Sequence, residues 1–181
     1  MHRRDIRIAV LPVLAAVVLA AGCGGSKKAD PATDWANSLC TAINTWKASV
    51  NSTADSLQGG NLSKSSIQSA GNDVQDATNT FVSSLKKLGK PNTQSGDQAK
   101  QSVDELSQQI HDGSQKISDE VKGITGVSSA FSAIPVVTST LQTMGNEISA
   151  TYTTLKGLDT SGELQTAFDK ADSCKSLRSS T

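Results

Sequence analysis

The stretch WANSLCTAINTW, residues 35–46, establishes the period that the rest of the chain repeats. Its apolar residues recur at steps of three and four, which places them on one stripe of an amphipathic helix. The stripe comprises Trp35, Leu39, Ile43, Trp46, Val50, Ala54 and Leu57. Glycines at positions 59 and 60 follow it, and we expect the first helix to end there.

Three further stripes of the same period follow. The second comprises Ile67, Ala70, Val74, Ala77, Phe81, Leu85 and Leu88. The third comprises Ala99, Val103, Leu106, Ile110, Gly113, Ile117, Val121 and Ile124. The fourth comprises Phe131, Ile134, Val137, Leu141, Met144, Ile148, Tyr152 and Leu155. A shorter fifth stripe runs through Leu164, Phe168, Ala171, Cys174 and Leu177. No segment shows the alternating pattern of a strand, so every element is predicted to be helical.

Polar residues near the helix starts suggest two capping boxes. Ser95 with Gln98 precedes the third stripe, and Thr160 with Glu163 precedes the fifth. Pro135 lies near the beginning of the fourth stripe, where it either kinks the helix or marks its first turn. Long helices joined by short loops pack up and down. The sequence therefore predicts an all-α, antiparallel bundle of four long helices plus a short C-terminal helix.

The amino-terminal segment has the features of an export signal. Arg3, Arg4 and Arg7 precede a short apolar run that ends in small residues, as in a secretory signal peptide. A membrane-spanning helix is the alternative, but it needs about 20 apolar residues and this run is shorter, with Pro12 inside it.

The sequence VLAAGCGG around Cys23 resembles the lipobox of bacterial lipoproteins. An ordinary signal peptide with a chance cysteine is the alternative. The resemblance implies that residues 1–22 are removed and that Cys23 carries the lipid anchor, palmitate being a typical acyl group. Residues 23–33 would then be the lipidated cysteine and a flexible tether, and residues 34–178 the bundle domain. The expected location is the extracytoplasmic face of the cell membrane.

Cys40 and Cys174 are the cysteines that remain after Cys23. Export would bring both into an oxidising compartment, where a disulfide persists, and we expect one bond between them to staple the bundle. A zinc site is the competing interpretation. It lacks ligands, because His111 is the only histidine after residue 22 and no Cys-x-x-Cys spacing occurs.

Net charge and side-chain chemistry reduce the number of functional classes that fit the sequence. Loss of three arginines and Asp5 with the signal segment changes the net charge from zero to about −2, and no basic stripe indicates nucleic-acid binding. His111 is flanked by core residue Ile110 and lacks the oriented partner that a nucleophile needs. We therefore expect no catalytic residues, no metal and no cofactor.

The pattern as a whole resembles the small Ser/Thr-rich helical lipoproteins of high-GC Gram-positive bacteria, on residues 35–46, the late Cys174 and the lipobox. Two functions fit. The first is a non-enzymatic interaction module that docks an envelope protein or cell-wall component. The second is a carrier or sensor that holds a small apolar, lipid-like ligand inside the bundle. A long exposed apolar stripe would favour docking, and an internal apolar cavity would favour the carrier.

Four residues are candidates for such a cavity. In an up-and-down bundle, Trp46, Gly113 and the pair Met144-Gly145 come to similar heights, each near the middle of its helix. Glycine inside a helix costs about 1 kcal/mol relative to alanine, which suggests a packing reason. Either the two glycines make room for Trp46 in a full core, or they leave a pocket lined by Trp46, Ile110 and Met144.

The lipid anchor can be tested at Cys23. Because the thioether needs the thiol, Cys23→Ser is expected to leave the exported chain unprocessed or to release it from the membrane fraction. Membrane fractionation and mass spectrometry of the amino terminus measure this. A normal lipid-modified mature form in the variant would contradict the lipobox assignment.

Overall fold

The computed structural model describes residues 30–59 and 63–178, and all regular elements in these ranges are helical. The long helices are α1 (Pro31–Gly59), α2 (Lys64–Leu88), α3 (Gly96–Lys122) and α4 (Val127–Gly157). The chain continues through α5 (Glu163–Lys170), a 3-10 turn (Asp172–Cys174) and α6 (Lys175–Arg178). The predicted all-α bundle of four long helices and a short C-terminal helix is confirmed. The signal segment and Cys23 lie outside the described residues.

Helix α1 begins earlier than the sequence suggested. Residues 31–33, expected in the tether, form its first turn. Pro31 is suited to this position because its missing N–H has no partner to lose there and its φ angle is already helical. Ala32 and Thr33 are both buried, so the domain includes residues that we had assigned to the linker.

The long helices pack in chain order, α1 on α2, α2 on α3 and α3 on α4. Helix α5 contacts both α1 and α4. Between α1 and α4 themselves, the described residues form no backbone interface of comparable extent. The bundle is therefore closed by the short C-terminal helix at one end, and the rest of the α1–α4 seam is less tightly packed. Within the described ranges, no helix is both long and apolar enough to cross a bilayer.

A disulfide joins the first helix to the C-terminal turn. Cys40 and Cys174 are bonded with their Cα atoms 5.1 Å apart, and 134 positions separate them in the sequence. Both cysteines are fully buried. The bond thus connects the beginning of the domain to its end, as the sequence predicted.

Polar side chains beside Cys40 reinforce this connection. Asn37 Oδ1 accepts a hydrogen bond from Ser173 N at 3.1 Å, and Asn44 Nδ2 donates to Ser173 O at 2.7 Å. Thr41 Oγ1 donates to Ser173 Oγ at 2.9 Å. Residues 37, 41 and 44 share one helix face, so α1 presents a polar stripe that matches the backbone of the C-terminal turn.

Aromatic rings fill two regions of the core. At the disulfide end, Phe168 of α5 makes edge contacts with Trp35 and Tyr152, with ring centres 6.1 and 5.1 Å apart. Near the middle, Trp46 packs against Phe81 at 5.9 Å. Phe168 thereby brings α5 into contact with both α1 and α4.

The beginning of α4 differs from the predicted stripe. The helix begins at Val127, so Pro135 lies in its interior rather than in its first turn. Phe131 and Ile134, expected in the core, are 60% and 36% exposed, whereas Ala130 and Ala133 are buried. The buried face of the first turns is therefore rotated by one residue from the one that the large apolar residues indicated.

Neither predicted capping box forms. Ser95 makes no cap hydrogen bond and instead donates to Leu158 O at 3.3 Å. The residue before α5 is Gly162, with φ 74°, a left-handed conformation that glycine adopts readily. Asp159 organises this turn, because its Oδ1 accepts hydrogen bonds from Ser161 N at 2.9 Å and Ser161 Oγ at 2.6 Å. The Ser161 hydroxyl lowers the pKa of the Asp159 carboxyl below its ordinary value.

The disulfide is predicted to determine how firmly α5 is held. Removing it in the double variant Cys40→Ala, Cys174→Ala should lower the free energy of unfolding by up to about 5 kcal/mol, since the bond closes a loop of more than a hundred residues. Urea unfolding of the oxidised domain and of the variant measures the difference. Reduced wild type is the control and should match the variant. An unchanged unfolding midpoint would contradict the prediction.

Candidate ligand groove between the first and fourth helices

An apolar groove of about 460 Å³ follows the seam between α1 and α4. We call it the α1–α4 groove. Its apolar wall comprises Ile43, Trp46, Val50, Ala54, Leu141, Gly145, Ile148, Tyr152 and Leu177. Its polar lining comprises Lys47, Asn51, Thr138, Gln142, Asn146 and Ser149. Lys47 is its only charged lining residue, so the interior is suited to an apolar ligand and the polar groups lie toward solvent.

Two features leave part of this seam open. Helix α5 packs between α1 and α4 at the disulfide end, so the two long helices do not pack closely on each other. Farther along, Gly145 contributes no side chain, and a Cβ atom added to it would meet nothing within 4 Å. The space that a larger residue would occupy at this position therefore belongs to the groove.

Trp46 is held in place from the opposite side. Its indole Nε1 donates to Thr78 Oγ1 at 3.1 Å, and Thr78 donates in turn to Val74 O at 2.7 Å. The buried indole N–H is thus satisfied by α2, and the ring forms part of the groove wall. A ligand in the groove would meet the carbon surface of Trp46 without competing for its hydrogen bond.

Of the candidate residues, Trp46 lines the α1–α4 groove, and Ile110, Gly113 and Met144 do not. A Cβ atom on Gly113 would lie 2.9 Å from both Cγ and Sδ of Met144, so the thioether already fills the space beside this glycine. Ile110 and Met144 are buried in the main core. The glycine that lines the groove with Trp46 is Gly145, which the sequence placed at the same height.

A second space, a shallow depression open to solvent, adjoins the groove at the disulfide end. It measures about 490 Å³ and is lined by Tyr152, Thr153, Lys156, Gly157, Gln165 and Arg178. We call it the cationic pocket, because two basic side chains and no acidic side chain line it. Lys156 Nζ lies 3.2 Å from Asp169 Oδ1, and Arg178 donates to Phe168 O at 2.6 Å.

Tyr152 lines both spaces. It is 5% exposed, and its hydroxyl oxygen has no hydrogen-bond partner among the described residues. A buried polar group without a partner costs about 1–3 kcal/mol. The only tyrosine of the chain therefore carries an unsatisfied group where an apolar and a cationic space meet.

The outer surface between α1 and α2 has a different character. A trough of about 1390 Å³ lies there, and its lining is dominated by serine, threonine, asparagine and charged residues, including Asp73 and Asp76. Its breadth and polarity are those of a solvated helix surface. This trough offers neither the enclosure nor the apolar lining of the α1–α4 groove.

The surroundings of His111 and of the acidic side chains bear on catalysis and metal binding. His111, the histidine considered above, interacts with the side chain of its helix neighbour Gln115 at 2.9 Å. In residues 30–59 and 63–178, no group of three or more histidine, cysteine or acidic side chains is placed to hold a metal ion.

Sequence reasoning overlooked the residues that connect the two spaces. Tyr152 was placed on the apolar stripe of α4, and nothing local distinguishes it from a core residue. Lys156 follows it by one helical turn, and this spacing could have indicated a shared face. Arg178 lies in another helix, so only the folded chain brings it to the same cavity.

Comparisons with known proteins identify no relative: no family model, curated protein or solved structure matches the chain. The features that bear on function are therefore the geometry of the groove and the amino-terminal sequence.

The helix glycines allow a paired stability test. A Cβ atom on Gly71 would lie 2.5 Å from Cγ2 of Val121, a stiff branched side chain, whereas Gly113 faces flexible Met144. Gly71→Ala is expected to destabilise the domain by about 1–3 kcal/mol. Gly113→Ala should be within about 1 kcal/mol of wild type, because the helix propensity of alanine offsets the displacement of Met144. Thermal unfolding measures both, and a greater loss in Gly113→Ala would contradict this packing.

Proposed function

We propose that the protein is a membrane-anchored extracytoplasmic lipoprotein whose bundle carries or senses an apolar ligand in the α1–α4 groove. The proposed anchor is the lipid on Cys23, and the proposed role is binding and not catalysis. The groove is the observation on which this proposal rests, and the lipobox resemblance supports the location.

The dimensions and lining of the groove support a ligand site. Its volume of about 460 Å³ falls within the range of about 300–1,000 Å³ that is typical of small-molecule sites. The exposed large apolar residues of the described ranges are limited to Phe131 and Ile134. The bundle therefore has an apolar groove in place of the long exposed stripe that docking to a protein would favour.

The start of α1 constrains the distance to the proposed anchor. Seven residues separate Cys23 from Pro31, the first helical residue. Fully extended, they span at most about 25 Å. Under the proposal, the disulfide end of the bundle stays close to the bilayer, and the end of the groove at Tyr152 lies on that side.

The interaction module is a second candidate, favoured by one observation. Phe131 is 60% exposed and Ile134 is 36% exposed, and both lie near the start of α4, at the end of the bundle opposite the disulfide. Such a patch would face away from the proposed anchor, toward other envelope components.

Filling the groove should abolish ligand binding. Gly145→Leu places a side chain in the empty space beside Trp46, so we expect at least about tenfold weaker binding of the uncharged fluorophore N-phenylnaphthylamine. Fluorescence enhancement during titration of the wild-type domain and the variant measures the affinity, and thermal unfolding checks that the variant is folded.

Ala150→Leu is the matched control. Ala150 is exposed on the same helix and does not line the groove, so this variant should bind the fluorophore as wild type does. Equal binding by Gly145→Leu and Ala150→Leu would place the fluorophore elsewhere. Absence of saturable binding by the wild type would contradict the carrier and leave the interaction module.

A further inference from the structure

We propose that the ligand is a single-chain amphiphile with an anionic head, its tail in the α1–α4 groove and its head in the cationic pocket. This inference rests on the proposed function and specifies its ligand class. The observation that carries it is Tyr152, which forms a wall of both spaces.

The groove has the shape for one extended chain. On α4 its lining runs from Thr138 to Tyr152, a distance of about 21 Å at 1.5 Å per helical residue. This is the scale of a long-chain acyl group. The modest volume is consistent with one chain lying along the seam in contact with Trp46 and Ile148.

The cationic pocket has the chemistry for an anionic head. Lys156 and Arg178 line it without an acidic side chain, and Gln165 adds an amide. Lys156 is paired with Asp169, and their side chains are 27% and 49% exposed, so water partly screens this ion pair. A carboxylate or phosphate on the ligand can therefore replace Asp169 as the partner of Lys156 and gain charge-assisted hydrogen bonds.

Tyr152 supplies a donor between the two spaces. Its hydroxyl is buried and has no partner within residues 30–59 and 63–178, so a ligand oxygen that accepts this hydrogen bond relieves an existing cost. Because the hydroxyl is covered, neighbouring side chains must shift for contact. Lys156 is the flexible neighbour, with its ammonium 5.9 Å from the centre of the ring. Displacement of this side chain toward the head group would open the path between groove and pocket.

Displacement of N-phenylnaphthylamine from the full mature domain tests the ligand class. The competitors are palmitate, lysophosphatidylglycerol and uncharged cetyl alcohol, all below their micelle or aggregate concentrations. We expect at least one anionic amphiphile to bind about tenfold more tightly than cetyl alcohol. The tighter of the two anionic competitors identifies a carboxylate or a phosphate head.

Single substitutions test whether the anionic head of the ligand lies in the cationic pocket. Lys156→Gln should reduce the preference for the anionic amphiphile by about tenfold and leave the affinity for cetyl alcohol unchanged. Tyr152→Phe should weaken binding of the anionic amphiphile more than binding of cetyl alcohol, because a hydrogen bond to a charged oxygen is stronger than one to an alcohol. Lys170→Gln, which removes the same charge from an exposed residue outside the pocket, should retain the preference. Thermal unfolding should show Tyr152→Phe to be at least as stable as wild type, because the variant removes an unsatisfied group.

The outcomes separate this inference from the proposed function. If the fluorophore binds and all three competitors displace it equally, the groove remains a ligand site and the anionic head is refuted. If Lys170→Gln loses the preference as fully as Lys156→Gln does, the head does not occupy the pocket. If the fluorophore does not bind at all, the proposed function fails first.

Discussion

The attachment of the C-terminal turn to α1 is the constraint on which the rest of the architecture depends. The Cys40–Cys174 bond and the hydrogen bonds that Asn37 and Asn44 form with the Ser173 backbone hold this turn in one position. Helix α5 has only eight residues, and helices of that length are not stable alone in water. Its position against α1 and α4 is therefore imposed by the attachment and by the burial of Phe168, and not by its own helical preference.

This constraint explains why one seam of the bundle differs from the others. Three seams join consecutive helices and are closely packed along the chain, whereas the α1–α4 seam is occupied at one end by α5. Beyond α5, the absent side chain at Gly145 leaves room along the seam. The apolar groove is thus a consequence of closing the bundle with α5. Its wall includes Trp46, whose indole N–H donates to Thr78 on α2.

The surfaces of the helices show why the attachment matters for stability. Many serine and threonine hydroxyls bond the carbonyl one turn earlier on their own helix, as Ser38 does to Asp34 and Thr143 does to Ser139. Such bonds compete with solvation and slightly destabilise helices, and serine and threonine are middling helix formers. Stability must then come from the aliphatic core and the covalent link. In this setting the unsatisfied Tyr152 hydroxyl and the open groove are costs that a stability requirement alone does not explain.

Much of the fold was determined by sequence alone, because helix formation depends on local spacing and because Cys40 and Cys174 are the two cysteines within the predicted helices. The apolar period and the glycine stops predicted four long helices, and the predicted link between Cys40 and Cys174 is present. Only the tertiary structure decided which faces meet. Ala130 is buried in place of Phe131, and Met144 fills the space beside Gly113. Tyr152 adjoins both the groove and the cationic pocket. These features depend on how each helix is rotated against partners distant in the chain, and no local pattern encodes that rotation.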